Sequence, residues 1–423
     1  MRKDCGFDGS PRLLRRLRRD AGQAILLFVG GFTLIAVAGA IVVDFGLWFS
    51  ERRGAQKDAD MAALAGALQL VSDVDYNDPL NPAVVPAAEA AALAWAAANG
   101  VDPEDVLNLT VSSDCFSADD GVYDSVSLDV DRDSRSLFAS IFGLLAPDIG
   151  AHARACMGSP YEGTGMLPIG VQVVGQDSDC FQNIDDDPEE EPLFGIECKL
   201  GFGAGTTTSG EGGLLRLYND GSLDCSSPNT GGGNTVTDEI ASGGADTTCY
   251  VAPPGTTAED CVDGVNFCVW PKTQPGGTNP VQKALQDLLS GDGACDALFG
   301  DELGTANGRD DFLEVVKPVN GDLNADPGTT TYEKRPECDS PRLISLVIID
   351  SFSENGNGPA PIRAFASFFI KGCVLDGAYE PYCAKPSGSV GQTELWGFFI
   401  NTLNIGRIGP INEYGQRAIA LVE

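Results

Sequence analysis

The sequence predicts an α+β protein. One N-terminal transmembrane helix extends into an alanine-rich helix; a small antiparallel sheet with helices follows, then a disulfide-rich, loop-rich and mostly β C-terminal region. Three observations carry this. Residues 24–43 hold no charged side chain, and an apolar helix of that length rises ~30 Å, the thickness of a hydrocarbon core. Beyond it, short runs alternate apolar and polar residues with the period of half-buried strands. Twelve of the 13 cysteines lie on the far side of the span, an even number as a disulfide framework requires.

Residues 1–22 form a basic tail in which Arg2, Lys3, Arg12, Arg15, Arg16, Arg18 and Arg19 precede the apolar run. Only Arg52, Arg53 and Lys57 follow closely. The positive-inside bias therefore keeps the N-terminus cytoplasmic and sends the rest across the membrane. The span, 23–49, reads as an uncleaved signal anchor. Its apolar core exceeds the roughly 7–15 residues of a cleavable signal, and Trp48–Arg52 offers no small-residue cleavage site.

The α+β region covers 50–160. No proline interrupts Phe45–Leu70, so the helix is expected to continue past the membrane. Ala55, Ala59, Ala62, Ala63, Gly66 and Ala67 recur mostly three or four apart and share a face narrow enough for another backbone to approach. The plainer reading is that alanine favours helix. Asp73, Asp75, Asn77, Asp78, Pro79 and Pro82 mark a loop, and a second helix over 87–99 closes at Asn99-Gly100. Strands are expected over 106–111, 122–130 and 149–157, with a short helix at 137–145. Residues 161–423 form the disulfide-rich extracytoplasmic domain. Strands at 169–174, 343–349, 362–370 and 395–400 are expected to make a second sheet, and an amphipathic helix to cover 279–299.

The candidate disulfide residues are Cys115, Cys156, Cys180, Cys198, Cys225, Cys249, Cys261, Cys268, Cys295, Cys338, Cys373 and Cys383. Proximity alone suggests Cys261–Cys268 and Cys373–Cys383. No C-x-x-C pair occurs and His152 is the single histidine, which disfavours zinc. A net charge of -34 disfavours nucleic acid as a partner. Calcium selects oxygen ligands. Asp322, Asn324, Asp326 and Glu333 match four positions of a calcium loop, but Pro327 stands where the turn glycine belongs. Asp129, Asp131 and Asp133 match less fully, and the acidic run 185–191 reads as solvated.

Asp44, at the outer end of the span, either pairs with a basic group of another helix or marks where the helix reaches water; the second is the simpler reading. His152 reads as a structural histidine. Ser-His or Cys-His chemistry would have to use that one residue, and neither a nucleophile elbow nor a phosphate loop is present. The sequence assigns no catalytic residues and no cofactor.

Taken together, several motifs resemble the TadE/TadG-like proteins of tight-adherence (Flp-type) pilus assembly. They are Gly22-Gln23 opening the span, Val43-Asp44-Phe45-Gly46 closing it, Arg52–Gln56, and Ala59-Asp60-Met61-Ala62-Ala63-Leu64-Ala65-Gly66-Ala67. Ala98–Val101, Ser136–Gly143, Ile149–Ala155, Met166–Gly170 and Arg363–Ile370 extend the likeness. The resemblance implies a single-pass envelope protein that is not an enzyme, with other pilus-assembly or envelope proteins as partners. Two features depart from relatives. Leu27 stands where a processed prepilin carries glutamate, and the serines of Asp350-Ser351-Phe352-Ser353 are out of register with an Asp-x-Ser-x-Ser metal motif. The alternatives are an anchored adhesin or binding protein, with or without calcium, and an anchored extracytoplasmic hydrolase.

Overall fold

A computed structural model describes residues 12–73, 82–116, 122–142, 147–173, 179–183, 190–201, 212–217, 233–244, 247–262, 265–271, 279–290, 309–337, 340–350, 358–384, 393–404 and 407–422. It divides into two units: 1–59 with 96–108 and 128–152, and 60–95 with 109–127 and 153–423.

Helix α1 runs Arg12–Asp73 without interruption. It contains no proline, and its one hydroxyl in the apolar run, Thr33, is satisfied by the Val29 carbonyl one turn back (2.8 Å). The helix begins at Arg12, inside the segment read as a basic tail, since nothing between Arg12 and Gly22 breaks it. Helix α2, Val84–Ala98, starts earlier than expected. Pro86 falls in its first turn, where the missing N–H has no intrahelical partner anyway. It stops at Gly100, whose φ of 79° lets Val101 N–H reach Ala96 O and Gly100 N–H reach Ala97 O, both at 3.1 Å.

In the first unit, α1 through Ala59 is joined by the α2 terminus and the ends of three strands: β1 (Val106–Ser112), β2 (Ser125–Asp133) and β3 (Asp148–Pro160). Leu128, Val130, Ile149 and Ala151 are buried at alternate positions, the period the sequence displays. Of the short helix expected at 137–145, the described part holds a 3₁₀ turn, Ala139–Phe142, and residues 143–145 lie outside the described residues.

In the second unit, Leu70, Val71, Val84, Ala88, Val126 and Met157 form one buried cluster. Gly66 is the close-approach point. A Cβ there would lie 2.9 Å from a Val126 methyl and 3.2 Å from the Ala88 carbonyl oxygen. Besides six strands of two or three residues among the described residues, the further strands are β4 (Ile169–Gln172), β5 (Cys198–Gly201), β6 (Gly212–Arg216), β7 (Cys268–Pro271), β8 (Val316–Pro318), β9 (Thr331–Lys334), β10 (Leu343–Ile349), β11 (Ala360–Leu375), β12 (Thr393–Asn404) and β13 (Gln416–Val422).

The hydrogen-bonded order is β1-β2-β3-β13-β12-β11-β7-β6-β4-β10, and β10 pairs back onto β11. Five strands therefore close into a ring. Along β10, Val347 and Ile349 pack with Leu215, Val269, Ile362 and Phe365. Leu346 and Ile348, on the opposite face, pack with Ala364 and Phe368 and with two helices, α3 (Gly233–Ala241) and α4 (Asn279–Leu289).

The two sheets expected from the sequence are thus continuous. The joining strand is β13, parallel to β12 and antiparallel to β3. Its run Gln416–Val422 is not among the strands expected from the sequence. A third helix, α5 (Arg309–Val315), sets Phe312 against Tyr332, Phe369 and Phe398, with ring centroids 4.8, 5.2 and 5.2 Å away.

Four disulfides lie among the described residues: Cys115–Cys156, Cys180–Cys198, Cys261–Cys268 and Cys373–Cys383. Cys249 is also disulfide-bonded. Both closures suggested by proximity are present, with Cα separations of 5.7 and 5.0 Å. Cys225, Cys295 and Cys338 lie outside the described residues. So does most of the acidic run 185–191; its last two members, Glu190 and Glu191, are buried rather than solvated.

Glu239, on α3, is pushed up to about 7 by burial and, secondarily, by the neighbouring Asp238 charge. Its Oε2 has no hydrogen-bond partner among the described residues. The native state therefore holds a proton that the unfolded chain releases near 4.5, so stability falls as pH rises from about 4.5 to 7. Glu239→Gln is expected to raise the neutral-pH melting temperature and flatten its slope through that window, measured by thermal unfolding at stepped pH. A second test concerns Gly66→Ala. The change gains ~1 kcal/mol of helix propensity but forces a methyl against a stiff, fully buried valine and a backbone oxygen, an overpacking cost of ~1–3 kcal/mol. Net destabilisation in a denaturant titration is the expected result, larger for Gly66→Leu.

Candidate functional site

Along α1, residues 44, 48, 51, 55 and 58 recur at alternating spacings of four and three, which keeps them on one face. Four of them are tied to the segment between β2 and β3 or to β2 itself. Asp44 accepts backbone N–H bonds from Leu137 (2.9 Å), Phe138 (3.1 and 3.2 Å) and Ala139 (2.6 Å). Trp48 Nε1–H donates to Ser136 Oγ (3.2 Å), and Glu51 accepts Arg135 N–H (3.3 Å). Asp58 pairs with Arg132 at 2.8 Å. Ala55, fully buried, occupies the remaining position. One turn away, Gln56 donates to the His152 carbonyl (2.8 Å).

Asp44 is the centre of this arrangement. Neither sequence reading of it holds: it does not mark the point where the helix meets water, since it is 2% exposed, and its recorded partners are backbone amides of its own chain. The physical reason is local. The first N–H groups of the 3₁₀ turn have no partner within the turn, and one carboxylate offers enough lone pairs to satisfy three of them. The turn leaves Leu137 59%, Phe138 38% and Ile141 73% exposed. Small-residue spacing along α1 does not reveal Trp48, Glu51 and Asp58; the four-three recurrence of positions 44, 48, 51 and 58 is the signal the sequence carries for them.

The candidate helix-packing residues Ala55, Ala59, Ala62, Ala63, Gly66 and Ala67 are all buried by the chain itself. The close backbone approach expected of them is real at Gly66, but Ala88 of α2 and Val126 of β2 supply it. That face therefore offers no free surface to a partner helix.

The calcium candidates are not brought together. Glu333 lies on β9, paired with Lys317 at 2.8 Å. Asp322 Oδ1 accepts Asn324 N–H and Asp326 Oδ1 accepts Gly328 N–H, both at 2.9 Å. Among the described residues no group of three or more His, Cys, Asp or Glu converges. Asp129 is instead held below the usual carboxylate range by the Asn108 amide (2.8 Å) and then by His152 Nδ1 (2.7 Å). That His–Asp pair is largely exposed. Asp350 engages the Arg363 guanidinium; Ser351 and Ser353 lie outside the described residues.

By fold and site the chain is a mixed α+β protein built on one N-terminal helix long and apolar enough to cross a membrane. Residues 22–69 match the Tad family model, described as "Putative Flp pilus-assembly TadE/G-like"; it is the family that the sequence motifs resemble. No curated protein and no solved structure matches the chain. The match covers the apolar run, Asp44, the polar stripe to Asp58 and the small-residue face to Ala67.

Asp44→Ala leaves three amides without their acceptor, at ~1–3 kcal/mol for each group that finds no substitute. Hydrogen exchange at Leu137–Ala139 in the full-length protein is expected to accelerate by more than about tenfold, equivalent to ~1.4 kcal/mol. Asp44→Asn, which keeps one acceptor oxygen, should fall between.

Proposed function

We propose that the chain is a membrane-anchored, non-enzymatic assembly component of a bacterial Flp-type pilus or secretion system. Its N-terminus lies in the cytoplasm and its disulfide-bonded body lies outside the cytoplasmic membrane. The observation that carries this reading is the family match over residues 22–69, which coincides with the apolar run and its buried extension. The arginine-rich flank before the span supports the orientation, and the disulfides support an oxidising compartment beyond it.

The mechanism is positioning. The Asp44–Trp48–Glu51–Asp58 stripe ties a chain segment to the end of the anchor, so that force or assembly contacts acting there reach the helix directly. Partners are other pilus-assembly or envelope proteins. They use surfaces other than the small-residue face, which α2 and the strands already occupy.

Deleting the gene is expected to abolish or strongly reduce pilus assembly and surface attachment, restored by the full chain. Accessibility labelling at the two ends of the span in whole cells should modify only the C-terminal side. Normal pili and adhesion in the deletion strain would refute the assembly role, and labelling of the N-terminal side would refute the orientation.

A further inference from the structure

The 3₁₀ turn Ala139–Phe142 and the residues leading into it present apolar side chains where a soluble surface would carry polar ones. Leu137, Phe138 and Ile141 are exposed. Phe138 and Ile141 line a groove together with Thr33, Ala36, Ala40 and Val43 of α1. Those four α1 positions lie within the uncharged run 24–43. Thr33 to Val43 covers ~15 Å of helix axis, half of a ~30 Å hydrocarbon core. Whatever surrounds the distal half of the span therefore surrounds Phe138 and Ile141 as well.

From this geometry we infer that residues 137–141 dip into the bilayer beside the span, with Leu137, Phe138 and Ile141 among the acyl chains of the leaflet from which the body emerges. The inference rests on the reading of α1 as a membrane span. Three observations select lipid as the occupant. The exposed apolar surface of 137–141 meets that of Val37 and Val43 on the helix, both exposed and both lining the groove. The helix beneath the groove carries small residues, Ala36, Gly39 and Ala40, which let the turn lie close.

The third observation is the placement of Asp44. Irregular backbone at membrane depth is tolerated only where its polar groups find partners inside the protein. Asp44 supplies three of them, and Phe138 O takes the Ile141 N–H at 3.0 Å. Ser140 Oγ–H likewise finds a partner within the turn, Leu137 O at 3.3 Å. A carboxylate at the end of a span is costly unless paired; here the amides of the inserted turn and the carboxylate satisfy one another. The anchor is thus a helix plus a wedge. Such a wedge restricts rotation and tilt of the body, which a single helix alone would leave free.

The test is photo-crosslinking of the full-length protein in phosphatidylcholine–phosphatidylglycerol bilayers. Benzoylphenylalanine is placed singly at Phe32, at Ile141 and at Leu323. Phe32 is exposed within the span and Leu323 is exposed on the body. Lipid adducts are expected at positions 32 and 141 and not at 323. In the Asp44→Leu background the adduct at 141 is expected to be lost while that at 32 persists, because the turn leaves the bilayer when its amides lose their acceptor. Adducts at 32 without adducts at 141 would overturn the wedge and leave the span intact. Failure at 32 would overturn the spanning reading and the wedge with it. Adducts at 141 to a second copy of the chain, in place of lipid, would overturn lipid as the occupant, and persistence at 141 in Asp44→Leu would overturn the role given to Asp44.

Discussion

The constraint on which the first unit depends is the need to satisfy backbone amides beside an apolar helix. A loop packed against such a helix has little water to bond with, and every unpaired N–H there is expensive. Asp44 meets this by accepting from three successive residues. The stripe then follows from helix periodicity. Once Leu137–Ala139 are held at Asp44, the chain running back toward β2 meets α1 one turn further on at Trp48, another turn on at Glu51 and two turns beyond that at Asp58. The polarity of this face and the uncharged character of the run before it are therefore one design: from Asp44 onward the helix finds polar partners in its own chain.

A second constraint governs the alanine-rich stretch. Helices and strands pack at a distance set by the side chains between them, and Gly66 with the alanines around it brings α1 close to the Ala88 carbonyl and the Val126 side chain. The face looked like a docking surface because small residues serve intermolecular and intramolecular packing equally well. Composition cannot distinguish the two; only the presence of α2 and β2 on that face does. Surface free for partner contacts lies on other parts of the molecule, the exposed length of α1 among them.

The second unit solves a different problem. Its sequence is rich in glycine and poor in long apolar runs, so order comes from closure. Five strands return on themselves through the pairing of β10 with β11, which removes two sheet edges and fills the interior with Leu215, Val269, Val347, Ile349, Ile362 and Phe365. Disulfides pin the segments that have little core of their own. Cys373–Cys383 ties the end of β11 to the turn after it, and Cys180–Cys198 closes the loop before β5. The sheet is mixed: β10 with β4, β9 with β12 and β12 with β13 pair parallel, whereas β13 joins β3 antiparallel.

By itself, the sequence determined the helix and its length, because an uncharged run of residues 24–43 and the absence of proline through Asp73 are local facts. It also determined the α+β class, the main strands from their alternation, the α2 stop at Gly100 and the two short disulfides. Four things were decided only by the tertiary structure. Asp44 became a cap for a turn some ninety residues away, the small-residue face was filled from within, β13 joined two expected sheets into one, and Glu333 went to Lys317 rather than to a calcium loop. The physical reason is the same in each case. Periodicity and propensity are properties of neighbouring residues and can be read along the chain. The partner of a carboxylate, a bare backbone patch or a strand edge is whichever group the fold delivers to it, and in these four cases that group comes from a distant stretch of chain or another edge of the sheet.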